Sequence, residues 1–282
     1  MTLGAGAIRD LLDRHGISPS RALGQNFVTD PNTIERIVRL AEVGAGDRVI
    51  EIGPGVGSLT VGLVAAGAEV VVVELDEHLL DPLREVLAGV DGGSGVDIVH
   101  ADAMDLDWVA FFRDRGPGDW KLVANLPYNV AAPVVLRALD EAPQISETLV
   151  MVQREVAERL AAGPGTGAYG IPSVKVAYWG TAQVVGRVPA SVFYPVPKVE
   201  SALVRIVRSA EPAVEADLEA VFTLVRQAFG QRRKMLRRSL AGVVSSEAFE
   251  RAVVDPAARP QDLDIDAWGR LALAVSQIDE AD

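Results

Sequence analysis

From Arg48 onward the chain alternates short apolar runs with stretches of helical periodicity, the pattern of a parallel sheet flanked by helices. Strands are predicted at residues 48–52, 70–73, 96–99, 122–124 and 148–152, with helices between them near 59–66, 77–87, 107–113 and 132–139. Two more helical stretches, 155–161 and 172–179, precede two further strand-like runs, 182–188 and 201–207. The result is an α/β, seven-stranded doubly wound (Rossmann-like) fold ending in a late hairpin. Breaks rich in Gly and Pro at 92–95, 116–118, 163–167 and 189–197 read as loops. From Glu211 the strands stop and helical patterns run through 218–229 and 234–240. The expected organisation is a sheet domain over 1–209, with 1–46 as a helical lead-in, and a small α-helical domain over 210–282.

Composition narrows the classes. The 282 residues suit one large domain with an appendage, and 49% hydrophobic with 23% charged residues is the balance of an ordinary globular protein. The longest apolar stretches fall far short of a bilayer crossing, and no basic region followed by an apolar run opens the chain, so a cytoplasmic location is expected. Zero cysteines exclude disulfides, thiolate metal sites and a cysteine nucleophile. His15, His78 and His100 form no zinc pattern, and no metal is expected. A formal net charge of −12 argues against a protein that coats nucleic acid indiscriminately. The charge is uneven, however: Arg226, Arg232, Arg233, Lys234, Arg237 and Arg238 lie in one stretch with no acid among them. Such a run fits either a solvated helix face or a contact with RNA phosphates.

The candidate chemistry sits at strand ends. Glu51-Ile-Gly-Pro-Gly-Val-Gly57 follows the first strand and precedes a helix, and glycines there let the backbone turn sharply and a ligand approach closely. The spacing of Gly53, Gly55 and Gly57 is G-x-G-x-G, not the pyrophosphate fingerprint G-x-G-x-x-G. Glu74 ends the second strand, where a doubly wound fold places the carboxylate that accepts ribose hydroxyls, and Asp102 follows the third. One acid at a strand end is commonly just solvated. Acids or glycines at the carboxyl ends of successive strands instead mark a ligand edge, suited here to adenosine plus a cationic group. The fourth strand ends at Asn125-Leu126-Pro127-Tyr128. An exocyclic adenine amine is a poor nucleophile because its lone pair is delocalised into the ring. The Asn125 amide oxygen and the Leu126 carbonyl would accept its hydrogens, Pro127 would hold the backbone rigid, and Tyr128 would offer a stacking face. A turn with Tyr128 in the core is the plainer alternative.

Leu-Gly-Gln-Asn-Phe at 23–27, Glu-Ile-Gly-Pro-Gly at 51–55, Glu-Leu-Asp at 74–76, Asp-Ala-Met at 102–104 and Asn-Leu-Pro-Tyr-Asn at 125–129 together resemble the ribosomal RNA adenine dimethyltransferases. Val-Phe-Tyr-Pro-Val-Pro-Lys-Val-Glu-Ser at 192–201 extends the likeness, which covers roughly residues 21–240 and is closest to the branch linked to kasugamycin resistance. The resemblance implies a methyltransferase fold that uses S-adenosylmethionine and releases S-adenosylhomocysteine. It implies dimethylation at N6 of two adjacent adenosines in the 3′-terminal hairpin of 16S RNA, within a partly assembled small-subunit particle. Asn26 and the backbone of Val28 would close over the cofactor, with Gly53, Gly55, Glu74, Asp102 and Asn125 around it. Phe193 would stack on the target base opposite Tyr128, although a phenylalanine between small and proline-rich residues serves equally as a core plug. Arg232, Arg233, Lys234, Arg237 and Arg238 would meet RNA, and a monomer is expected.

Val28 replaces the usual leucine, which is harmless for a backbone contact, while the acidic net charge leaves RNA binding to local bases. The nearest rival is the large-subunit RNA methyltransferase of macrolide resistance, from which Leu126 and Gly24 differ. A catalytically silent assembly factor on the same fold is a second alternative, against which Glu74, Asn125 and Tyr128 stand intact.

Overall fold

The computed structural model describes residues 3–20 and 22–279. The expected domain limits at 1 and 282, and residue 21 where the resemblance begins, lie outside them. In chain order the elements are α1 (Ala5–Arg14), β1 (Phe27–Val28), α2 (Pro31–Leu40), β2 (Arg48–Ile52), α3 (Ser58–Ala65), β3 (Glu69–Glu74) and α4 (Glu77–Ala88). Then follow β4 (Asp97–His100), α5 (Trp108–Arg113), β5 (Trp120–Asn125), α6 (Ala131–Glu141), β6 (Ile145–Gln153), α7 (Arg154–Leu160) and α8 (Ile171–Trp179). The last are β7 (Gly180–Val188), β8 (Phe193–Tyr194), β9 (Ser201–Arg208), α9 (Leu218–Phe229), α10 (Leu236–Ser239), α11 (Ser246–Arg251) and α12 (Ile265–Asp279). No helix among the described residues is long and apolar enough to cross a membrane.

Seven strands form one sheet in the order β4-β3-β2-β5-β6-β9-β7. Val70, Val71, Val72 and Val73 of β3 are all buried, as befits a strand of a parallel sheet covered on both faces. β2 pairs in parallel with β3 on one side and β5 on the other. The chain therefore builds outward from β2 to β4, then returns to start the other half at β5. Between β2 and β5 lies the topological switch point, where such sheets open a crevice at the carboxyl ends of their strands. Beyond β6 the direction reverses, since β9 runs antiparallel to it. Arg208 at the end of β9 closes the C-terminus of α6, donating to the carbonyls of Leu139 at 2.7 Å and Ala138 at 3.2 Å. The Ala138 carbonyl also accepts the Ala142 amide at 3.0 Å, and Arg208 adds a cation where the carbonyls of a helix C-terminus run out of intrahelical donors.

Backbone contacts divide the chain into two compact units, 1–157 with 182–208, and 158–181 with 209–282. The sequence suggested one boundary near 210, but residues 158–181 pack with the second unit. Tyr169, Val174 and Tyr178 from that segment are buried in a cluster with Phe222, Phe249, Leu271 and Trp268. Both tyrosine hydroxyls find carbonyl acceptors there, Tyr169 on Leu263 at 2.9 Å and Tyr178 on Ala216 at 3.0 Å, which makes their burial tolerable. A second correction concerns the helix expected over 234–240, which forms only as α10. The amides of Leu236 and Arg237 donate to Ala258 and Pro256 at 2.8 and 3.0 Å, and Met235 before them is extended. Arg232, Arg233 and Lys234 consequently lie in the turn between α9 and α10.

Candidate active site

The glycine loop and the first buried acids are built as one piece. Gly53, Gly55 and Gly57 all have positive φ. At Gly55 (φ +59) a β-carbon would also stand 2.8 Å from the Phe27 ring, so glycine is needed there on both counts. The Gly55 amide donates to Glu74 Oε2 at 3.0 Å, and the Asp76 amide to Glu74 Oε1 at 2.9 Å. The carboxylate at the end of β3 is thus locked in place by backbone donors from two loops. Burial raises its pKa above the ordinary carboxylate value, and the Asp76 and Gly55 amides work against that rise. Glu51, on β2, is more deeply placed at 1% exposure. It accepts a hydrogen bond from Thr60 Oγ1 at 2.7 Å. Desolvation, reinforced by the nearby Glu74 charge and opposed by Thr60, pushes its pKa up to about 8. Asp76 caps α4 and accepts from Gln25 Nε2 at 2.7 Å, while Gln25 Oε1 accepts the Ser20 amide at 2.7 Å. In this way the segment before β1 is fastened to the acid loop.

The turn at the end of β5 faces the same space. Asn125 Nδ2 donates to the Asn26 carbonyl at 3.0 Å. A carbonyl accepts only from the NH2 side of an amide, so this bond fixes the orientation of Asn125 and leaves Oδ1 as an acceptor for a ligand. Asn26 is held in turn by its own Nδ2 on the Gly24 carbonyl at 3.0 Å. Gly24 (φ +66) presses on the turn: a β-carbon there would lie 3.0 Å from Asn129 Oδ1 and 3.2 Å from the Tyr128 amide nitrogen. Leu126 is buried, with its amide on the Met151 carbonyl at 3.1 Å. Tyr128 is half-buried with its hydroxyl 2.8 Å from Ser201 Oγ, and burial raises its pKa. The ring is thereby held by its polar end.

One cavity collects Asn26, Val28, Gly53, Gly55, Glu74, Asp102 and Asn125 together with Leu126, Pro127 and Tyr128. Phe193 is not in its lining. The residue is 2% exposed in a core cluster that includes Val28, with which it pairs across β1 and β8. This is the core-plug position, and no ring face is presented to a base. The lining holds four acids, Glu51, Glu74, Asp76 and Asp102, and no lysine, arginine or histidine among the described residues. Glu51 keeps its proton near neutral pH, and the carboxylates that remain, with no cation beside them, disfavour phosphates and favour a ligand that carries positive charge. S-adenosylmethionine, an adenosine bearing a sulfonium and an ammonium group, fits this donor set, whereas a dinucleotide does not.

Sequence reading missed the Gln25–Asp76 pair, 51 residues apart, and the Glu51–Thr60 pair, which joins a strand to the following helix, because no spacing motif reveals either. In the second unit, Arg226 of the basic run is tied to Glu219, and Arg232 donates to the Gly167 carbonyl at 3.0 Å. Arg233, Lys234, Arg237 and Arg238 are exposed.

A family model described as ribosomal RNA adenine dimethylase matches residues 18–276. Similar proteins include the ribosomal RNA small subunit methyltransferase A of Cutibacterium acnes, 47% identical over 98% of this chain and 95% of that protein. The protein of the same name from Kineococcus radiotolerans is 47% identical over 96% of this chain and 90% of its own. Among solved structures, the 23S rRNA methyltransferase ErmE is 30% identical with a TM-score of 0.66, covering 89% of this chain and 100% of that one. A dimethyladenosine transferase from Plasmodium falciparum, at 21% identity and a TM-score of 0.72, covers 89% of this chain and 98% of its own, and shares the fold.

Proposed function

The chain belongs to the ribosomal RNA adenine dimethylase family, and from that premise we propose that it dimethylates N6 of two adjacent adenosines in the 3′-terminal hairpin of small-subunit ribosomal RNA. It is an S-adenosylmethionine-dependent RNA methyltransferase, and S-adenosylmethionine, when bound, supplies an electrophilic methyl group. The observation that carries the reading is the meeting, in one acid-lined cavity, of the Glu74 and Asp102 strand ends with an Asn125 whose amide is pre-oriented.

The protein's own groups divide the work. Glu74 has both oxygens fixed by backbone amides and lone pairs left to accept ribose hydroxyls. Asp102 keeps one oxygen after the other accepts the Met104 amide, and that oxygen would accept a hydrogen bond from the adenine amine of the bound cofactor. Asn26 and the Val28 backbone cover that ligand. Asn125 Oδ1 and the Leu126 carbonyl accept the hydrogens of the target amine and turn its lone pair toward the methyl donor. Pro127 keeps the turn rigid and Tyr128 stacks on the base. Phe193 backs the β1–β8 pair that carries Val28. Arg233, Lys234, Arg237 and Arg238, with Arg232 beside them, meet RNA phosphates. The protein works as a monomer in the cytoplasm, on a partly assembled particle.

The large-subunit alternative has the 30% identity of ErmE behind it. Against it stand 47% identity to proteins named for the small subunit and the residues Gly24 and Leu126. Labelled methyl transfer to small-subunit precursor particles, naked small-subunit RNA and large subunits tests the choice. Strong labelling of the precursors, little of the naked RNA and none of large subunits is expected; preferential labelling of large subunits would reverse the assignment.

A further inference from the structure

Asp102 is fastened to the rest of the protein through a residue outside the cavity. In the loop after β4, Asp102 Oδ1 accepts the Met104 amide at 2.8 Å and the Asp102 carbonyl accepts the Asp105 amide at 3.0 Å, which folds 102–105 into a closed turn. The carbonyls of Met104 and Leu106 leave this turn toward Arg137 of α6. Its guanidinium donates to both, the Leu106 bond at 2.9 Å. The guanidinium is itself aimed by Glu141, one helical turn on, which accepts from Nε and pairs with Nη2, each at 2.9 Å. Glu141, with Asp105 and Asp107 adding to the field, raises the pKa of the guanidinium further. A planar fork held in this way fixes two carbonyls in a geometry that a lysine ammonium does not reproduce. α6 is also the helix that begins just after the Asn125–Tyr128 turn, and its Val134 lines the same cavity, whereas Arg137 does not.

We propose that Arg137 is a positioning residue that clamps the Asp102 turn to α6 and so sets Asp102 for the cofactor's adenosine. The inference rests on the reading of Asp102 as a cofactor contact. Arg137 touches neither cofactor nor target, so its influence on affinity passes through the turn. It also makes the helix behind the target turn the support of the cofactor side.

A double-mutant cycle read by calorimetry separates this role from a general structural one. Affinity for S-adenosylhomocysteine is measured in wild type, Arg137→Met, Arg137→Lys, Asp102→Ala and the Arg137→Met/Asp102→Ala double variant. Losing charge-assisted bonds to the turn should weaken binding by about tenfold in Arg137→Met, with Arg137→Lys between it and wild type. In the Asp102→Ala background the Arg137→Met change should have almost no further effect. If Arg137→Met does not fold, Arg137→Lys and Glu141→Gln carry the same cycle. Equal losses in both backgrounds would overturn the proposal. Wild-type affinity in the Arg137 variants alongside a weakened Asp102→Ala would overturn the coupling alone, and unchanged affinity in Asp102→Ala would overturn the reading of Asp102 along with it.

Discussion

Glu51 and Glu74 sit in one cavity without a basic side chain in its lining, and their titration follows from that. The folded protein holds the Glu51 proton up to about pH 8, while the ordinary value is 4.5. The native state therefore binds more protons than the unfolded chain between those limits. The contribution of this group to stability is full below about pH 4.5 and declines as pH rises toward about 8. Glu51→Gln cannot ionise, so in cofactor-free protein it should be nearly silent at about pH 5 and raise Tm above wild type at about pH 8.5. Scanning calorimetry across that range checks it; a difference that does not vary with pH would place Glu51 in a more solvated state. Glu74→Ala should weaken binding of both S-adenosylmethionine and S-adenosylhomocysteine by roughly 1.5–3 kcal/mol, the worth of a charge-assisted hydrogen bond. Unchanged affinity by titration would remove Glu74 from the cofactor site. With the role proposed for its amide oxygen on the reacting amine, Asn125→Ala should lower kcat on the order of 100-fold while RNA affinity is nearly kept. Turnover within twofold of wild type would exclude that role. Strand-end acids were legible because a parallel sheet places them predictably. Their partners were not: Thr60 reaches Glu51 from the next helix and Gln25 reaches Asp76 across the fold, contacts that only tertiary packing creates.

At the scale of elements, strands of the parallel sheet were the most readable because burial on both faces makes them short, continuous apolar runs. Residues 48–52 were read with the bounds that β2 has, and 70–73 fell one residue inside β3 at each end. The two-residue pair of β1 and β8 left no periodicity to detect, although it positions Val28. α10 proved shorter than its sequence pattern: Met235 is extended and the amides of Leu236 and Arg237 donate to Ala258 and Pro256, so the helix starts only at Leu236. Phe193 shows the same limit: its motif matched, but burial in the core was decided by β1 alongside it. The glycine loop offers a test of packing at this scale. Gly55→Ala combines a left-handed φ with a 2.8 Å approach to Phe27, and should cost about 2 kcal/mol or more of stability with a loss of cofactor affinity. Gly46→Ala, at φ +91 with open space around it, should cost about 1 kcal/mol and leave affinity intact. Urea unfolding of the two variants compares them directly; equal costs would mean that Phe27 gives way.

For the whole molecule the net charge of −12 and the exposed bases around α10 act in opposition. If, as proposed, the basic cluster meets RNA, most of the surface repels unstructured RNA and affinity depends on a shaped target that engages the cluster while avoiding acids. Binding should weaken steeply with salt, and neutralising one contacting residue, as in Arg237→Gln, should reduce the logarithmic salt slope by ~0.7 to 0.9. An unchanged slope would mean that Arg237 faces solvent alone. The central claim is the identity of the modified base, and nucleoside mass spectrometry of ribosomal RNA from a strain lacking the gene addresses it most directly. The expected result is loss of N6,N6-dimethyladenosine from small-subunit RNA, restored by the wild-type gene and not by Asn125→Ala. Persistence of that nucleoside in the small subunit, or its loss from large-subunit RNA instead, would contradict the account.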